Sequence, residues 1–465
     1  MVGRDTPHTF ILKLRLFTSI QNSSQTSITD SNMMLKPIKK SKQKYILIIL
    51  IILVIIIFCH YSFHNRINVK GKIILCIPVY GQSLALGEEA SRITDISRFS
   101  KDNQERVVTE NLDGQFGFFD NNSFKQSLKK LLHYQKRSFE LSVYGMSASL
   151  VQQLDSDTII CTFPGGQGAT TLAHLSKGSQ PYQQFLSNIK KAFLLAQKGH
   201  CTRFYVPAIC WMQGESDIAD YPDTDYQQLL LQFKDDINND VKAITHQSED
   251  VRLICYQPNA LTRAPQFKQD AYHLQESQVP QTFVNLLRKD TLFWASGPTY
   301  PYAVVREVVH IDGVGQQHIG HLAATSAMGI LRHQPRFLGL LPLSTHVSDS
   351  NVIIRFNVPC PPLVLDTFLV RRADLYGFQV ITPSNKNIAE QILVDSLNVT
   401  IRCMASPVGC RVRYAVNGDY MKSGNRHGPR GNLRDSQGEK IKFNIQGKSY
   451  PLHNWAYQFD EYIEK

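Results

Sequence analysis

Short apolar segments alternate with longer helical segments between residues 72 and 333, and this alternation constrains the fold more than any other feature of the sequence. The apolar segments are rich in Ile, Val, Cys and Tyr; they are KIILCIPVY (72–80), DTIICTFPGG (157–166), RFYVPAICWMQ (203–213) and DVRLICYQ (250–257). Nearly continuous apolar strands are typical of a parallel sheet that is buried on both faces. Helical patterns separate them, over 126–154, 181–199, 226–244 and 315–333. The alternation predicts a three-layer α/β domain with a parallel sheet over residues 71–334.

The pattern changes after residue 335. Short β-rich segments such as NVIIRFNVP (351–359) and RVRYAV (411–416) are separated by Pro, Asp and Asn, and no long helical pattern follows. Segments of this kind are typical of antiparallel sandwiches. We therefore predict a β-rich, sandwich-like accessory domain over residues 335–465.

A basic leader precedes an apolar stretch near the N-terminus. Residues 1–44 contain eight Lys or Arg and two Asp, a net charge of +6, which leaves only +5 of the total +11 for the other 421 residues. Residues 45–63 contain no Asp, Glu, Lys or Arg, and about 20 apolar residues span a bilayer as a helix. Positive charge on the N-terminal side favours a cytoplasmic leader. We predict a cytoplasmic leader over 1–44, an uncleaved transmembrane signal-anchor over 45–63, and a catalytic domain outside the cytoplasm, in the periplasm or at the cell surface.

The charge and cysteine patterns argue against two classes of function. The basic residues are concentrated in the leader, and no basic patch interleaved with aromatic residues follows it, which argues against nucleic-acid binding. The nine cysteines form neither a CxxC pair nor a Cys/His spacing typical of a metal site. We predict neither a cofactor nor a metal ion, and the sequence does not specify an oligomeric state.

Polar and Gly-rich segments follow the predicted strands. In open α/β sheets, ligands bind beyond the carboxyl ends of the strands. GQS (81–83), PGGQGAT (164–170) and WMQGESD (211–217) lie at three such ends, and REVVHIDGVGQQ (306–317) leads into the last helix. We expect these four segments to form the functional site.

Ser83 is the candidate nucleophile. A serine hydroxyl needs a positioned base, and His310, at the start of the final helix, is the best candidate. A carboxylate must then hold the imidazole in the correct tautomer. Glu307 and Asp312 are the alternatives: side chains two apart share a face of an extended segment, which favours Asp312, whereas a turn between 307 and 310 favours Glu307.

Acyl transfer also needs hydrogen-bond donors directed at the developing oxyanion. The backbone N–H of Ser83 is the first candidate. A glycine in GGQGAT (165–170) can bring a second N–H close, because it has no Cβ. The side-chain amide of Gln213, at the end of the third strand, is the third candidate.

Together these segments resemble the SGNH hydrolase superfamily and, within it, the sialic-acid-specific acetylesterase and carbohydrate esterase group. That group reads Gly-Gln-Ser at the nucleophile, Gly-Gly-Thr-Ser at the oxyanion glycine, Trp-x-Gln-Gly-Glu-x-Asp in the third block and Asp-x-x-His at the base. The resemblance covers about residues 71–332, and WMQGESD (211–217) is its most specific part.

The resemblance implies a role for each matching residue. The implied catalytic residues are Ser83, His310 and Glu307, the implied oxyanion donors are Ser83, Gly168 and Gln213, and the implied supporting residues are Gln82, Trp211, Gly214, Glu215 and Asp217. The sequence departs from the family pattern at three positions, which are Leu84 in place of Asn, Ala169 in place of the second Gly, and Glu307 in place of Asp.

The resemblance also implies an activity. We expect a serine esterase that removes O-acetyl groups from a carbohydrate, sialic acid or a surface polysaccharide, through an acetyl-serine intermediate. The alternatives are a non-catalytic glycan-binding protein with the same cleft, and an O-acetyltransferase in which a sugar hydroxyl intercepts the acyl-enzyme. A glycoside hydrolase that uses Glu215 and Asp217 is less favoured, because these carboxylates belong to one turn beside Gln213 and are better placed to brace the loop.

Overall fold

The computed structural model describes residues 45, 47–54, 69–94, 106–109, 139–220, 225–259, 278–419 and 421–463, and the side chains of all of these except Thr109, Asp220 and Glu307. Two compact units are distinguished, Met1–His64 and Asn65–Lys465. The predicted leader, 1–44, and residues 126–138 of the predicted helix 126–154 lie outside the described residues, and the described part of that helix spans Ser142–Val151.

The predicted transmembrane segment, 45–63, is described only in part. Residues 47–54 are helical with exposed side chains, and 55–63 lie outside the described residues. None of the described helices is long and apolar enough to cross a membrane. The predicted transmembrane helix is therefore not confirmed.

The second unit begins with parallel strands, as the sequence predicts. In chain order the strands are β1 (Ile73–Cys76), β2 (Val79–Gly81), β3 (Val107–Thr109), β4 (Thr158–Thr162), β5 (Pro164–Gly166), β6 (Arg203–Tyr205), β7 (Ala208–Met212), β8 (Arg252–Gln257) and β9 (Phe293–Pro298). They pair in the orders β3-β4-β1-β6 and β5-β2-β7-β8-β9, and every pairing is parallel.

Three of the predicted strands are divided in two. The breaks fall at Pro78, between β1 and β2, at Phe163, just before Pro164, and at Pro207, between β6 and β7. Proline has no N–H to donate to a neighbouring strand, so it interrupts the ladder. Backbone hydrogen bonds carry the pairing across the breaks, such as Val79 N–H to the Phe163 carbonyl at 3.0 Å and Cys210 N–H to the Pro78 carbonyl at 2.9 Å.

Helices cover both faces of the sheet. They are α1 (Ser142–Val151), α2 (Leu172–Leu175), α3 (Gln180–Lys198), α4 (Glu215–Asp220), α5 (Tyr226–Thr245), α6 (Val279–Lys289) and α7 (Gly313–Leu331). Successive strand residues alternate between two cores: Tyr80 and Trp211 pack with α3 and α5, whereas Val79 and Cys210 pack with α1 and α7. This alternation is the period-two geometry of a strand, and it confirms the predicted α/β layering.

The C-terminal region is antiparallel and β-rich, as predicted. Its strands are β10 (Leu341–Ser348), β11 (Asn351–Asn357), β12 (Val364–Leu365), β13 (Phe378–Ile381), β14 (Ala389–Val394), β15 (Asn398–Cys403), β16 (Arg411–Tyr414), β17 (Leu433–Arg434), β18 (Lys442–Ile445), β19 (Lys448–Pro451) and β20 (Phe459–Tyr462), with two short helices, α8 (Gly424–His427) and α9 (Gln437–Lys440). The larger sheets have the orders β10-β11-β15-β14 and β13-β16-β20. This region shares one continuous apolar core with the parallel sheet, since Val352 and Tyr414 belong to the same buried cluster as Trp211.

Candidate active site

Ser83 lies immediately beyond β2. A Cβ on Gly81 would stand 1.9 Å from the Met212 carbonyl oxygen, so only glycine allows β2 to approach the end of β7 this closely. The Gln82 N–H then donates to the same carbonyl at 3.0 Å. Leu84, which replaces the family's Asn, is buried in the core beneath the site. The nucleophile loop is thereby fixed at the carboxyl end of the sheet.

His310 is held by a tight loop just before α7. Val304 and Ile311 form an antiparallel bridge, and the Val305 N–H donates to the His310 carbonyl at 2.7 Å. The imidazole Nε2 lies 2.8 Å from the Ser83 hydroxyl oxygen. The structure therefore brings together two predicted residues that are 227 positions apart in the chain, in the geometry of a serine and its general base.

Glu89 occupies the other side of the imidazole. Its Oε2 lies 2.7 Å from His310 Nδ1, and its second oxygen pairs with the guanidinium of Arg306. Both Glu89 (φ 62°) and Arg306 (φ 54°) adopt the left-handed conformation, which is uncommon for residues other than glycine. Glu89 was not predicted from the sequence, in which the only signal for it is a pair of adjacent glutamates a few residues after Ser83.

The two acids proposed from the sequence are placed differently. The side chain of Glu307 lies outside the described side chains, and its backbone ends a short 3₁₀ turn, Val305–Glu307. Asp312 is the N-cap of α7, where its Oδ1 accepts a hydrogen bond from the Gly315 N–H at 2.8 Å. Among the described side chains, the carboxylate that faces His310 Nδ1 is that of Glu89, and the role of Glu307 stays a prediction.

The three predicted oxyanion donors are not equivalent. Within the described part of the chain, the N–H groups of Ser83 and Gly168 make no hydrogen bond. The Gln213 side chain is fully buried, and its Nε2 donates to the Thr170 carbonyl at 3.2 Å and to Asp217 Oδ2 at 2.5 Å. Both hydrogens of the Gln213 amide are thus used inside the protein, so the amide does not face the cleft as a free donor.

Gln213 instead belongs to a buried network. Tyr226 donates its hydroxyl to Gln213 Oε1 at 2.8 Å, and Trp211 Nε1 lies 3.3 Å from the same hydroxyl. Asp217 Oδ2 also accepts a hydrogen bond from the Leu172 N–H at 3.0 Å. Burial raises the pKa of Asp217 to about 6. The network joins the loop after β7 to the loop that carries Gly168.

A second set of contacts joins the loop after β7 to the nucleophile loop. Gln82 Oε1 accepts hydrogen bonds from the N–H groups of Gly214 at 3.4 Å and Ser216 at 3.2 Å. Gly214 has φ +142°, and a Cβ there would stand 2.6 Å from the Pro258 ring, so this turn requires glycine. The WMQGESD segment (211–217) therefore holds the nucleophile loop in place through these hydrogen bonds.

A cleft of about 330 Å³ opens at Ser83 and His310. Its polar lining includes Gln82, Glu88, Glu89, Glu215, Ser216 and Arg306, and its apolar lining includes Ala169, Ala219, Val308 and Val309. A volume of this size is at the lower end of the range for small-molecule pockets. Among the described residues, no cluster of His, Cys, Asp and Glu could hold a metal ion, and the absence of a cofactor stays a prediction.

Residues 93–292 match the family described as carbohydrate esterase, sialic acid-specific acetylesterase. The matched residues include WMQGESD (211–217) and lie between Ser83 and His310 in the chain. The family resemblance predicted from the sequence is thereby confirmed. No curated protein matches the chain.

The chain shares its fold with a solved structure. The chain is similar to a carbohydrate acetylesterase from Xanthomonas citri, with 12% identity, a TM-score of 0.52, and coverage of 84% of this chain and 80% of that one. It is more distantly similar to NanS (11% identity, TM-score 0.41, coverage 57% and 99%) and to a protein from Arabidopsis thaliana (12% identity, TM-score 0.38, coverage 56% and 98%).

Proposed function

We propose that this chain, whose residues 93–292 match the carbohydrate esterase, sialic acid-specific acetylesterase family, is a serine esterase that removes O-acetyl groups from a carbohydrate. The observation that carries the proposal is the linear array of Ser83, His310 and Glu89, with contacts of 2.8 and 2.7 Å on opposite ring nitrogens of the histidine. The array opens into a cleft and lies at the carboxyl end of a parallel sheet, where α/β folds bind ligands.

The proposed mechanism uses one histidine as both base and acid. His310 Nε2 accepts the Ser83 proton as the serine oxygen attacks the acetyl carbonyl carbon. The protonated imidazole then donates that proton to the departing sugar oxygen, which leaves an acetyl-serine. His310 next removes a proton from water, the resulting hydroxide equivalent attacks the acetyl carbon, and the proton returns to Ser83 as acetate departs.

Glu89 stabilises the imidazolium that forms in both steps. Its carboxylate holds the proton on Nδ1, which leaves Nε2 unprotonated and directed at Ser83 in the resting enzyme. The pairing of its other oxygen with Arg306 restricts the carboxylate to this orientation. Glu89 therefore takes the role that the family resemblance assigned to Glu307.

The N–H groups of Ser83 and Gly168 are the proposed oxyanion donors. Each is unused within the described part of the chain, and Ala169, next to Gly168, lines the cleft. Gln213 is proposed to act indirectly, because its amide hydrogens hold the Thr170 carbonyl and Asp217. It is a positioning residue that fixes the loop around Gly168.

The proposal is tested by acetate release from an O-acetylated sugar and from para-nitrophenyl acetate. The purified full chain should release acetate from both substrates, and Ser83→Ala should release it from neither. Sugar binding without acetate release would instead favour the glycan-binding alternative. Transfer of the acetyl group to an added sugar in place of water would favour the O-acetyltransferase alternative.

The proposed site of action is outside the cytoplasm, with residues 45–63 as the anchor. The support is the sequence pattern alone: eight basic residues in 1–44 followed by nineteen residues without a charged side chain. In intact cells, an external protease should cleave a tag at residue 465 and spare a tag at residue 1. Cleavage of the N-terminal tag alone would contradict this orientation.

A further inference from the structure

The cleft at Ser83 is lined by more acids than bases. The acidic side chains among its described lining residues are Glu88, Glu89 and Glu215, whereas Arg306 is the one Lys or Arg among them. Arg306 is paired with Glu89, which also holds His310. The positive charge at the cleft is therefore already matched by a carboxylate of the catalytic array.

Glu88 is the acid of the cleft lining next to Glu89 in the chain, and it takes no part in the pairing of Glu89 with Arg306. Its half-buried side chain makes no hydrogen bond or ion pair with any part of the chain that the structure describes. Its Oε1 lies so close to the proposed oxyanion glycine that a Cβ on Gly168 would stand 2.5 Å away. The carboxylate thus lies in the cleft beside the glycine whose N–H is a proposed oxyanion donor.

A substrate that carries its own negative charge meets an excess of acidic side chains among the described lining residues of this cleft. A carboxylate beside the acetylated carbon is repelled by Glu88, and the charge of Arg306 is already offset in part by Glu89. An uncharged sugar has no such cost, and its hydroxyl groups can donate to the free oxygens of Glu88. Like charges separated by a few ångströms at a partly solvated site change affinities by about tenfold.

We propose, on the basis of the proposed esterase function, that Glu88 is a specificity-determining residue that makes the cleft select an uncharged O-acetylated sugar over one that bears a carboxylate. The substrate class is then a neutral acetylated sugar or the neutral residues of a polysaccharide. This selection is independent of the acyl-transfer step, because Glu88 is not part of the Ser83, His310 and Glu89 array.

The test compares two substrates that differ in the charge of one carboxyl group, O-acetylated N-acetylneuraminic acid and its methyl ester, which adds one methyl group. At low salt, the full-length protein should release acetate from the neutral methyl ester with a kcat/KM about tenfold higher than from the free acid. In Glu88→Gln, the ratio should fall to about twofold or less, mainly through a lower KM for the free acid. High salt should also reduce the ratio in the unaltered protein, since salt screens charges at exposed sites.

Three controls separate this selection from other effects. Glu88→Asp keeps the charge and should retain most of the preference. Glu390→Gln removes an exposed carboxylate of β14 and should leave the ratio unchanged. Hydrolysis of uncharged para-nitrophenyl acetate by Glu88→Gln gives a reference rate, because a change in the Ser83 chemistry itself affects both sugar esters alike and cancels in their ratio.

Two results would overturn the selection while leaving the esterase function in place. The first is a ratio that is the same in the unaltered protein and in Glu88→Gln. The second is a preference of the unaltered protein for the free acid that is lost in Arg306→Gln, which would mean that Arg306 binds the substrate carboxylate. A protein that hydrolyses none of the three esters would refute the esterase function, and the selection with it.

Discussion

The carboxylate of Glu89 lies 2.7 Å from Nδ1 of His310, on the side of the ring opposite Ser83. We predict that Glu89→Gln lowers kcat by about 10²–10⁴-fold, because the amide neither stabilises the imidazolium nor fixes the tautomer as a carboxylate does. Steady-state kinetics with para-nitrophenyl acetate measure the loss. The isosteric change keeps the size of the side chain, so a normal unfolding transition is the matching control.

Asp312→Asn tests whether the loss of kcat is specific to Glu89 or follows the removal of either nearby carboxylate. Asn caps helices about as well as Asp, so the hydrogen bond to Gly315 survives and kcat should change less than about threefold. A silent Glu89→Gln together with a large loss in Asp312→Asn would transfer the role of the acid to Asp312.

The buried position of Gln213 predicts a loss of stability on truncation. Gln213→Ala leaves the Asp217 oxygen and the Tyr226 hydroxyl without their partner, and each buried group left unpaired costs about 1–3 kcal/mol. We expect the midpoint of urea unfolding to fall accordingly. An unchanged midpoint with a 10²–10³-fold loss of kcat, the loss typical of a missing oxyanion donor, would contradict this role and restore the one predicted from the sequence.

Glu215 makes stability depend on pH. It is 2% exposed, its Oε2 accepts a hydrogen bond from Tyr256 at 2.5 Å, and burial raises its pKa from 4.5 to about 7. The folded state therefore binds more protons than the unfolded state between these two values, and the free energy of unfolding falls as the pH rises through this range.

Glu215→Gln removes this dependence, because the amide does not titrate. We predict that the stability of the variant relative to the unaltered protein increases from pH 4.5 to pH 8, by at most about 3 kcal/mol, since one pKa unit corresponds to about 1.4 kcal/mol. Urea unfolding of both proteins at the two pH values measures it. A stability difference that is the same at both values would show that Glu215 does not titrate in this range.

The sequence predicted the parts of the site that lie at strand ends. Ser83 follows an apolar strand, and the rule that ligands bind at the carboxyl ends of parallel strands places it correctly. His310 is the predicted base because a serine nucleophile requires one and because this histidine lies at the start of the last predicted helix. The breaks in the strands also have a visible cause, which is the proline at 78, 164 and 207.

The sequence could not predict the partners that depend on tertiary geometry. Glu89 reaches His310 across 221 positions, from a left-handed backbone that no pattern around it requires. The direction of the Gln213 amide depends on Tyr226 and Asp217, which capture its oxygen and nitrogen. Which of these hydrogen bonds form depends on competition among buried polar groups for partners, and the local sequence carries little information about which partner is bound.

Covalent labelling of the nucleophile distinguishes Ser83 from the other serines of the protein. A fluorophosphonate reacts with an activated serine, and peptide mapping by mass spectrometry identifies the residue that carries the adduct. We predict a single adduct on Ser83, absent in Ser83→Ala and formed much more slowly in His310→Ala and Glu89→Gln. An adduct on another serine would contradict the assignment of Ser83 as the nucleophile. Labelling of Ser83 at the same rate in the unaltered protein, His310→Ala and Glu89→Gln would contradict its activation by His310 and Glu89.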